Sequence, residues 1–188
     1  MGATTADLRA LVEGHEPASP RETAAKARFL EELTELPAPC DEHADPTHVT
    51  ASGIVVGRRG TVLHLHKRLG IWMQPGGHID PGETPDVAAR REATEELGLA
   101  VAHPVSGPRL INLDVHDAAL GHTHLDLRYL LLAGDDDPHP PPGESPDARW
   151  YTWDEAMAVA DAALVDALAA ARAAYEPGEA APAGHGAP

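Results

Sequence analysis

Glu92, Glu95 and Glu96 follow one another at spacings of three and one residues. In an α-helix, at about 100° per residue, such side chains fall within an arc of roughly 100°. Carboxylates gathered on one edge repel one another. A hard divalent cation such as Mg²⁺ or Mn²⁺, which takes oxygen ligands in near-octahedral geometry, relieves that repulsion. Arg91 lies one turn before Glu95, where it can orient a glutamate and offset part of the charge. Glutamate-rich helices are otherwise ordinary solvated surface. What surrounds these three therefore decides their meaning.

The helix that must carry them is well marked. Thr84-Pro85 reads as its entry, with Thr as N-cap and Pro at the first helical position. Asp86 complements the helix dipole, and Gly98 suits a left-handed C-cap. Ala89, Ala93 and Leu97 form a small apolar stripe that lets the helix lie close to a sheet. Upstream, HVTASGIVV, the turn GRRG and TVLHLHKR predict a hairpin over 49–68, and IWMQ a short strand ending at PGG. Downstream, irregular strands near 101–116 precede HTHLDLRYLLLA, and RWYT is a last short strand. Between them GDDDPHPPPGESPDA is a functional or disordered loop. A closing helix is expected from Thr152, with Glu155 as its capping-box partner, to about Tyr175. Two further helices are expected over 4–14 and 20–36, then a linker. The fold class is α+β, an α/β/α sandwich with a mixed β-sheet and an N-terminal helical extension. The expected division is 1–45, 46–175 and a disordered tail over 176–188.

Composition narrows the function. The net charge of −16, with 14 Lys and Arg, supplies no basic face for a nucleic-acid polymer. A small polyanion can still bind if metal ions neutralise the acidic site. The single cysteine, Cys40, rules out an intrachain disulfide. No apolar run reaches the roughly 18 residues of a membrane span. The N-terminus has no signal-peptide pattern, so a cytoplasmic location is expected.

The spacing Gly77–x5–Glu83–x7–Arg91–Glu92–Ala93–x–Glu95–Glu96–x–Gly98–Leu99 fixes seven positions, for which a chance match at one start is on the order of 10⁻⁸. That is too rare for a solvated helix. The pattern resembles the Nudix box, the signature of the Nudix hydrolases, with Ala93 where a bulkier aliphatic residue is common. The order of the flanking elements and RWYTWDEA are also Nudix-like, over residues 46–175. The resemblance implies hydrolysis of a diphosphate linked to another moiety, with bound Mg²⁺ or Mn²⁺. It implies Glu92, Glu95, Glu96 and the Gly76 carbonyl as metal ligands, with Glu83 as a further candidate. Glu83 and Arg91 would brace loop against helix. The metals would stabilise charge on the attacked phosphorus and acidify a water. Glu144 stands in the loop that supplies a carboxylate base in many members; Glu95 or Glu96 are the alternatives.

Outside the box, His122, His124, Asp126 and Arg128 alternate with Leu125, Leu127 and Tyr129, and His64 and His66 with Leu63 and Leu65. Such polar strand faces are either solvent-exposed or substrate-binding. Two His-x-His patterns in one small domain favour contact with phosphate or substrate over a further metal. His78, His116 and Asp114 are candidates to join them. Arg68 and Lys67 are candidate phosphate contacts, Trp72 a candidate stacking platform, and Arg58-Arg59 a solvated turn. The expected partner is a small-molecule diphosphate, most simply a nucleoside diphosphate derivative. Alternatives are a non-nucleotide diphosphate such as an inositol pyrophosphate, or a non-catalytic nucleotide sensor. The isomerase that shares this fold needs a catalytic cysteine within the domain, where Cys40 does not lie. A homodimer is common in the family.

Overall fold

The computed structural model describes residues 2–118 and 121–176. Apart from Glu176, the tail expected over 176–188 lies outside them. Helices α1 (Thr5–Gly14) and α2 (Pro20–Glu35) come first, followed by strands β1 (Thr47–Gly57), β2 (Gly60–Leu65), β3 (Trp72–Met73) and β4 (Gly76–His78). Helix α3 (Pro85–Leu97) leads to β5 (Val101–Ala102), β6 (Arg109–Asp117), β7 (Thr123–Ala133) and β8 (Ala148–Tyr151), and the chain closes with α4 (Trp153–Val159) and α5 (Ala162–Ala174).

One mixed sheet joins the strands. Its spine is the parallel pair β1–β7, in register from Thr47↔Thr123 to Val56↔Leu132. β1 turns into β2 through Arg58-Arg59, and β4 lies antiparallel to β1, with Ser52 opposite Gly76 and Thr50 opposite His78. β6 and β5 flank β7, while β3 and β8 flank β2. The period of two along β1 and β7 divides the core. Val49, Ala51, Leu125, Leu127 and Tyr129 pack with Ala88 and Ala89 of α3. Ile54, Val56, Leu130 and Leu132 pack with Leu164, Ala167 and Leu168 of α5. Helices thus cover both faces, as the α+β sandwich reading requires.

The N-terminal helices are part of this core. Leu8, Val12, Phe29 and Leu33 are buried together with Val49, Leu113 and Leu125. Glu22, 1% exposed, accepts bonds from the Ala18 and Leu113 amides at 2.7 and 2.9 Å, and its carboxylate meets His15 Nε2 at 2.7 Å. Each buried carboxylate oxygen thereby has a partner, which is what makes its burial tolerable.

Several local expectations need correction. The closing helix is two helices, because Asp161 accepts the Leu164 N–H at 2.8 Å and starts α5 afresh. The Thr152–Glu155 capping box is present at the start of α4. Thr84 precedes α3 in extended geometry but makes no side-chain cap bond, while Gly98 ends α3 at φ 60°, the left-handed conformation glycine adopts most readily. The second strand of the hairpin stops at Leu65, and residues 66–70 form a turn in which His66 Nδ1 accepts the Leu69 N–H. The 134–148 loop is docked on the domain: the His139 amide donates to Leu97 O at 2.9 Å, and the Ser145 hydroxyl to Leu65 O at 2.6 Å. Arg58 and Arg59 pair with Asp135 and Asp137 of that loop.

Candidate active site

Helix α3 and strand β4 bring the box residues together. The Gly76 amide donates to Glu96 Oε2 at 2.9 Å. Arg91 is the hub. Its Nε and Nη2 donate to both Glu83 oxygens at 3.0–3.2 Å, and Nη2 also to the His78 carbonyl at 2.9 Å. Nη1 reaches Glu92 at 2.7 Å and Glu95 at 3.2 Å. One planar guanidinium thereby fixes the loop, the helix and two of the three clustered carboxylates. Gly77 leaves room for the arrangement: a Cβ there would lie 2.6 Å from Glu92 Oε1.

The electrostatics remain unbalanced. The Arg91 bond holds Glu83 below the usual carboxylate range. Glu92 is pushed up, chiefly by burial, which the Arg91 bond offsets only in part. Glu96 is pushed up to about 7: burial raises it, the Gly76 N–H lowers it, and the charges of Glu92, Glu144 and Glu95 raise it further. Both carboxyls are raised first by burial, and the charges of the neighbouring carboxylates add to it. A donor set of carboxylate oxygens, with a glycine-lined approach and uncompensated charge, fits a hard divalent cation.

Beside Glu96 opens a cleft of about 330 Å³ lined by His64, His66, Lys67, Arg68, Glu144 and Ser145. Five of the residues singled out from sequence, His64, His66, Lys67, Arg68 and Glu144, therefore meet Glu96 there. Lys67 Nζ donates to the Gly143 carbonyl, which ties the 66–70 turn to the loop carrying Glu144. His64 Nε2 stands 3.9 Å from Glu96 Oε2, and burial pushes its imidazole down to about 4. A larger cavity of about 550 Å³ lies between the chain start, the linker and the box loop. It touches Glu83 and His78 but none of Glu92, Glu95 and Glu96, so chemistry rather than size selects the smaller cleft.

The other expected substrate contacts are not gathered at this cleft. Trp72 lies over the Arg149 guanidinium at 4.7 Å and edge-on to Tyr151 at 5.2 Å, a packing role. Asp126 and Arg128 are 1% and 3% exposed and are spent on each other at 2.9 Å. Arg128 also donates to Asp114 Oδ2, Asn112 Oδ1 and the Ala163 carbonyl. That correction has a simple cause: α5 covers the polar strand face that alternation alone left open. His122 and His124 instead join His48, His78 and His116, with neighbouring ring centroids 5.0–5.6 Å apart. His48 escaped the sequence reading. Its only signal was a histidine opening a strand, and its neighbourhood depends on the β1–β7 register that sets it opposite His124.

Comparison with known proteins points the same way. The family model described as the NUDIX domain matches residues 46–173. An RNA pyrophosphohydrolase of Erythrobacter litoralis (strain HTCC2594) is 36% identical over 64 residues, 31% of this chain and 39% of that protein. A MutT-like protein of Streptomyces ambofaciens is 34% identical over 71 residues, 37% of this chain and 46% of that one. The chain thus spans less than half the length of these curated relatives. Among solved structures, a NUDIX-family hydrolase from Clostridium perfringens superposes with a TM-score of 0.57 at 29% identity, over 68% of this chain and 98% of that one. A MutT NUDIX hydrolase from Burkholderia pseudomallei gives 0.54 at 28%, over 65% and 96%.

Proposed function

This chain belongs to the NUDIX family, and from that premise we propose that it is a metal-dependent pyrophosphohydrolase acting on a nucleoside diphosphate linked to another moiety. The observation that carries the reading is the half-buried, upward-shifted Glu96 carboxyl at the wall of a cleft that also holds Lys67 and Arg68, with the raised Glu92 carboxyl one turn before it on α3. Acidic and basic groups facing one small space suit a phosphate chain and a cation together.

Glu92, Glu95 and Glu96, with the Gly76 carbonyl and Glu83, are the residues that would hold Mg²⁺ or Mn²⁺. When bound, such an ion supplies charge neutralisation at the phosphate and acidifies water. The protein's own groups supply the rest. Arg91 fixes Glu92 and Glu95 so that little reorganisation is needed on binding. Lys67 and Arg68 attract the phosphate oxygens into the cleft. Glu144, whose charge is felt at Glu96 across the same cleft, accepts the proton of the attacking water. The water oxygen forms a bond to one phosphorus, the bridging P–O bond breaks, and the leaving phosphate takes the electron pair. Lys67 is tethered next to Gly143, so binding of the phosphate chain and placement of Glu144 are linked through one loop.

The test is a hydrolysis screen with Mg²⁺ and Mn²⁺ over nucleoside triphosphates, ADP-ribose, sugar nucleotides, dinucleoside polyphosphates and inositol pyrophosphates. RNA with a terminal phosphoanhydride belongs in the screen because the Erythrobacter relative is named an RNA pyrophosphohydrolase, although a net charge of −16 favours a small substrate. Nucleotide binding with no turnover of any diphosphate would favour a sensor over an enzyme.

A further inference from the structure

His48 presents an unusual combination. It is fully buried, its Nδ1 lies 3.3 Å from the Asp45 carbonyl, and its Nε2 has no hydrogen-bond partner among the described residues. A carbonyl only accepts, so Nδ1 carries the proton and Nε2 presents a bare lone pair. A ring nitrogen orphaned in this way is costly, and a backbone carbonyl that fixes the tautomer is the usual support of a metal-ligating histidine. The lone pair has company. One ring nitrogen each from His48, His122 and His124 lies within 4.8 Å of the other two. Tetrahedral Zn²⁺, with Zn–N bonds of 2.0–2.1 Å, needs nitrogens about 3.4 Å apart. His122 and His124 are only half-buried, His122 just before β7 and His124 near its start, so their side chains have room to rotate toward that spacing.

We propose that His48, His122 and His124 form a second cation site, separate from the glutamate cluster, which takes Zn²⁺ or a comparable borderline transition ion. Three imidazoles without a carboxylate select against Mg²⁺, which wants oxygen ligands. Burial lowers His48 and pushes His124 down to about 4, so both rings are neutral near pH 7, the form that ligates. His78 borders the trio from β4, with its Nδ1 3.1 Å from Glu42 Oε2. The site uses none of the groups assigned to diphosphate hydrolysis above, and it stands or falls without any turnover measurement.

The experiment uses the full chain, free of any added histidine tag, carrying Glu92→Gln and Glu96→Gln to silence the carboxylate cluster. After stripping with a chelator, Zn²⁺ is titrated by calorimetry and Co²⁺ by visible absorption. The expected result is one Zn²⁺ per chain, a tetrahedral Co²⁺ spectrum, and no competition from Mg²⁺. His122→Ala and His124→Ala should each weaken Zn²⁺ binding by about 100-fold or more, beyond the effect typical of losing a supporting residue. Circular dichroism checks that each variant is folded. His48→Gln is the most direct probe but removes a buried group; should it not fold, the other two variants decide. Absence of Zn²⁺ binding, or binding unchanged by His122→Ala and His124→Ala, overturns the proposal.

Discussion

Two arginines organise the polar interior, and they do so in opposite ways. Arg128 has a side chain 4% exposed and bonds Asp114, Asp126, Asn112 and a carbonyl of α5. Arg91 has a side chain 23% exposed and bonds Glu83, Glu92, Glu95 and a carbonyl of the box loop. The contact lists are nearly interchangeable; the charge balance is not. Around Arg128, burial would raise Asp114, but the bond to His116 and the charges of Arg128 and His116, with the bond to Arg21, hold it well below the usual carboxylate range. Around Arg91, Glu83 is held down in the same way, but burial raises Glu92, and it raises Glu96, one turn beyond, to about 7. Where bonds and charges outweigh the cost of burial, the network is structure. Where burial outweighs them, a ligand of positive charge would hold the carboxylates ionised.

The contrast can be broken by substitution. Arg128→Ala leaves two aspartates buried without their counter-ion and should cost about 3–5 kcal/mol in urea unfolding. A loss under about 1 kcal/mol would show that the buried network is not balanced as described. Glu95→Gln and Glu96→Gln should each lower Mg²⁺-dependent hydrolysis by at least about 10²-fold; unchanged rates in both would remove the carboxylate cluster from the reaction.

Stability in chelator should respond to pH with opposite signs in the two networks. Glu96 has its folded pKa raised, from 4.5 to about 7, so the folded state holds the extra proton and the contribution of Glu96 to stability falls as pH rises through that window. Glu96→Gln should therefore be more stable than the parent at pH 8, by up to about 3 kcal/mol, with the gain fading toward pH 4.5. Asp114 has its pKa lowered, so its contribution is complete above its ordinary 3.8 and is lost as pH falls below it. A gain for Glu96→Gln at pH 8 no larger than at pH 4.5 would contradict the raised Glu96 carboxyl. The smallest stability effect is expected for Arg91→Lys, below about 1 kcal/mol, because the group is partly exposed. The same change should lower kcat/KM roughly tenfold, because a lysine cannot reproduce the forked contacts. For Glu144→Gln, a pH–rate profile with the parental acid limb would exclude it as the base.

How much of this could be read in advance follows from the range of each interaction. Glu92, Glu95, Glu96 and Arg91 are neighbours on one helix, so their grouping is written in local spacing. The hairpin turn at Arg58-Arg59 and the stop at Gly98 are equally local. Asp126 and Arg128 were misread because period-two alternation reports which residues share a strand face, not what covers that face. Only the packing of α5 and the neighbouring β6 determines that theirs is closed. The histidine trio needed more still. His48 and His124 are 76 positions apart and meet through a parallel pairing that no short-range pattern encodes. The break between α4 and α5 was legible in principle, since Asp161 is a good N-cap, but a run of alanines on either side masked it.

Glu22 has a consequence that reaches past the chain itself. β6 borders the sheet, and the Leu113 amide that Glu22 accepts lies on it. A free strand border is a template on which another polypeptide can add a strand. Here a side chain from α2 occupies one rung of that template, locked from the other side by His15 and the Ala18 amide. A second molecule seeking to extend the sheet at Leu113 would first have to evict a buried carboxylate. The N-terminal helices therefore close one rung of that border as well as forming part of the core.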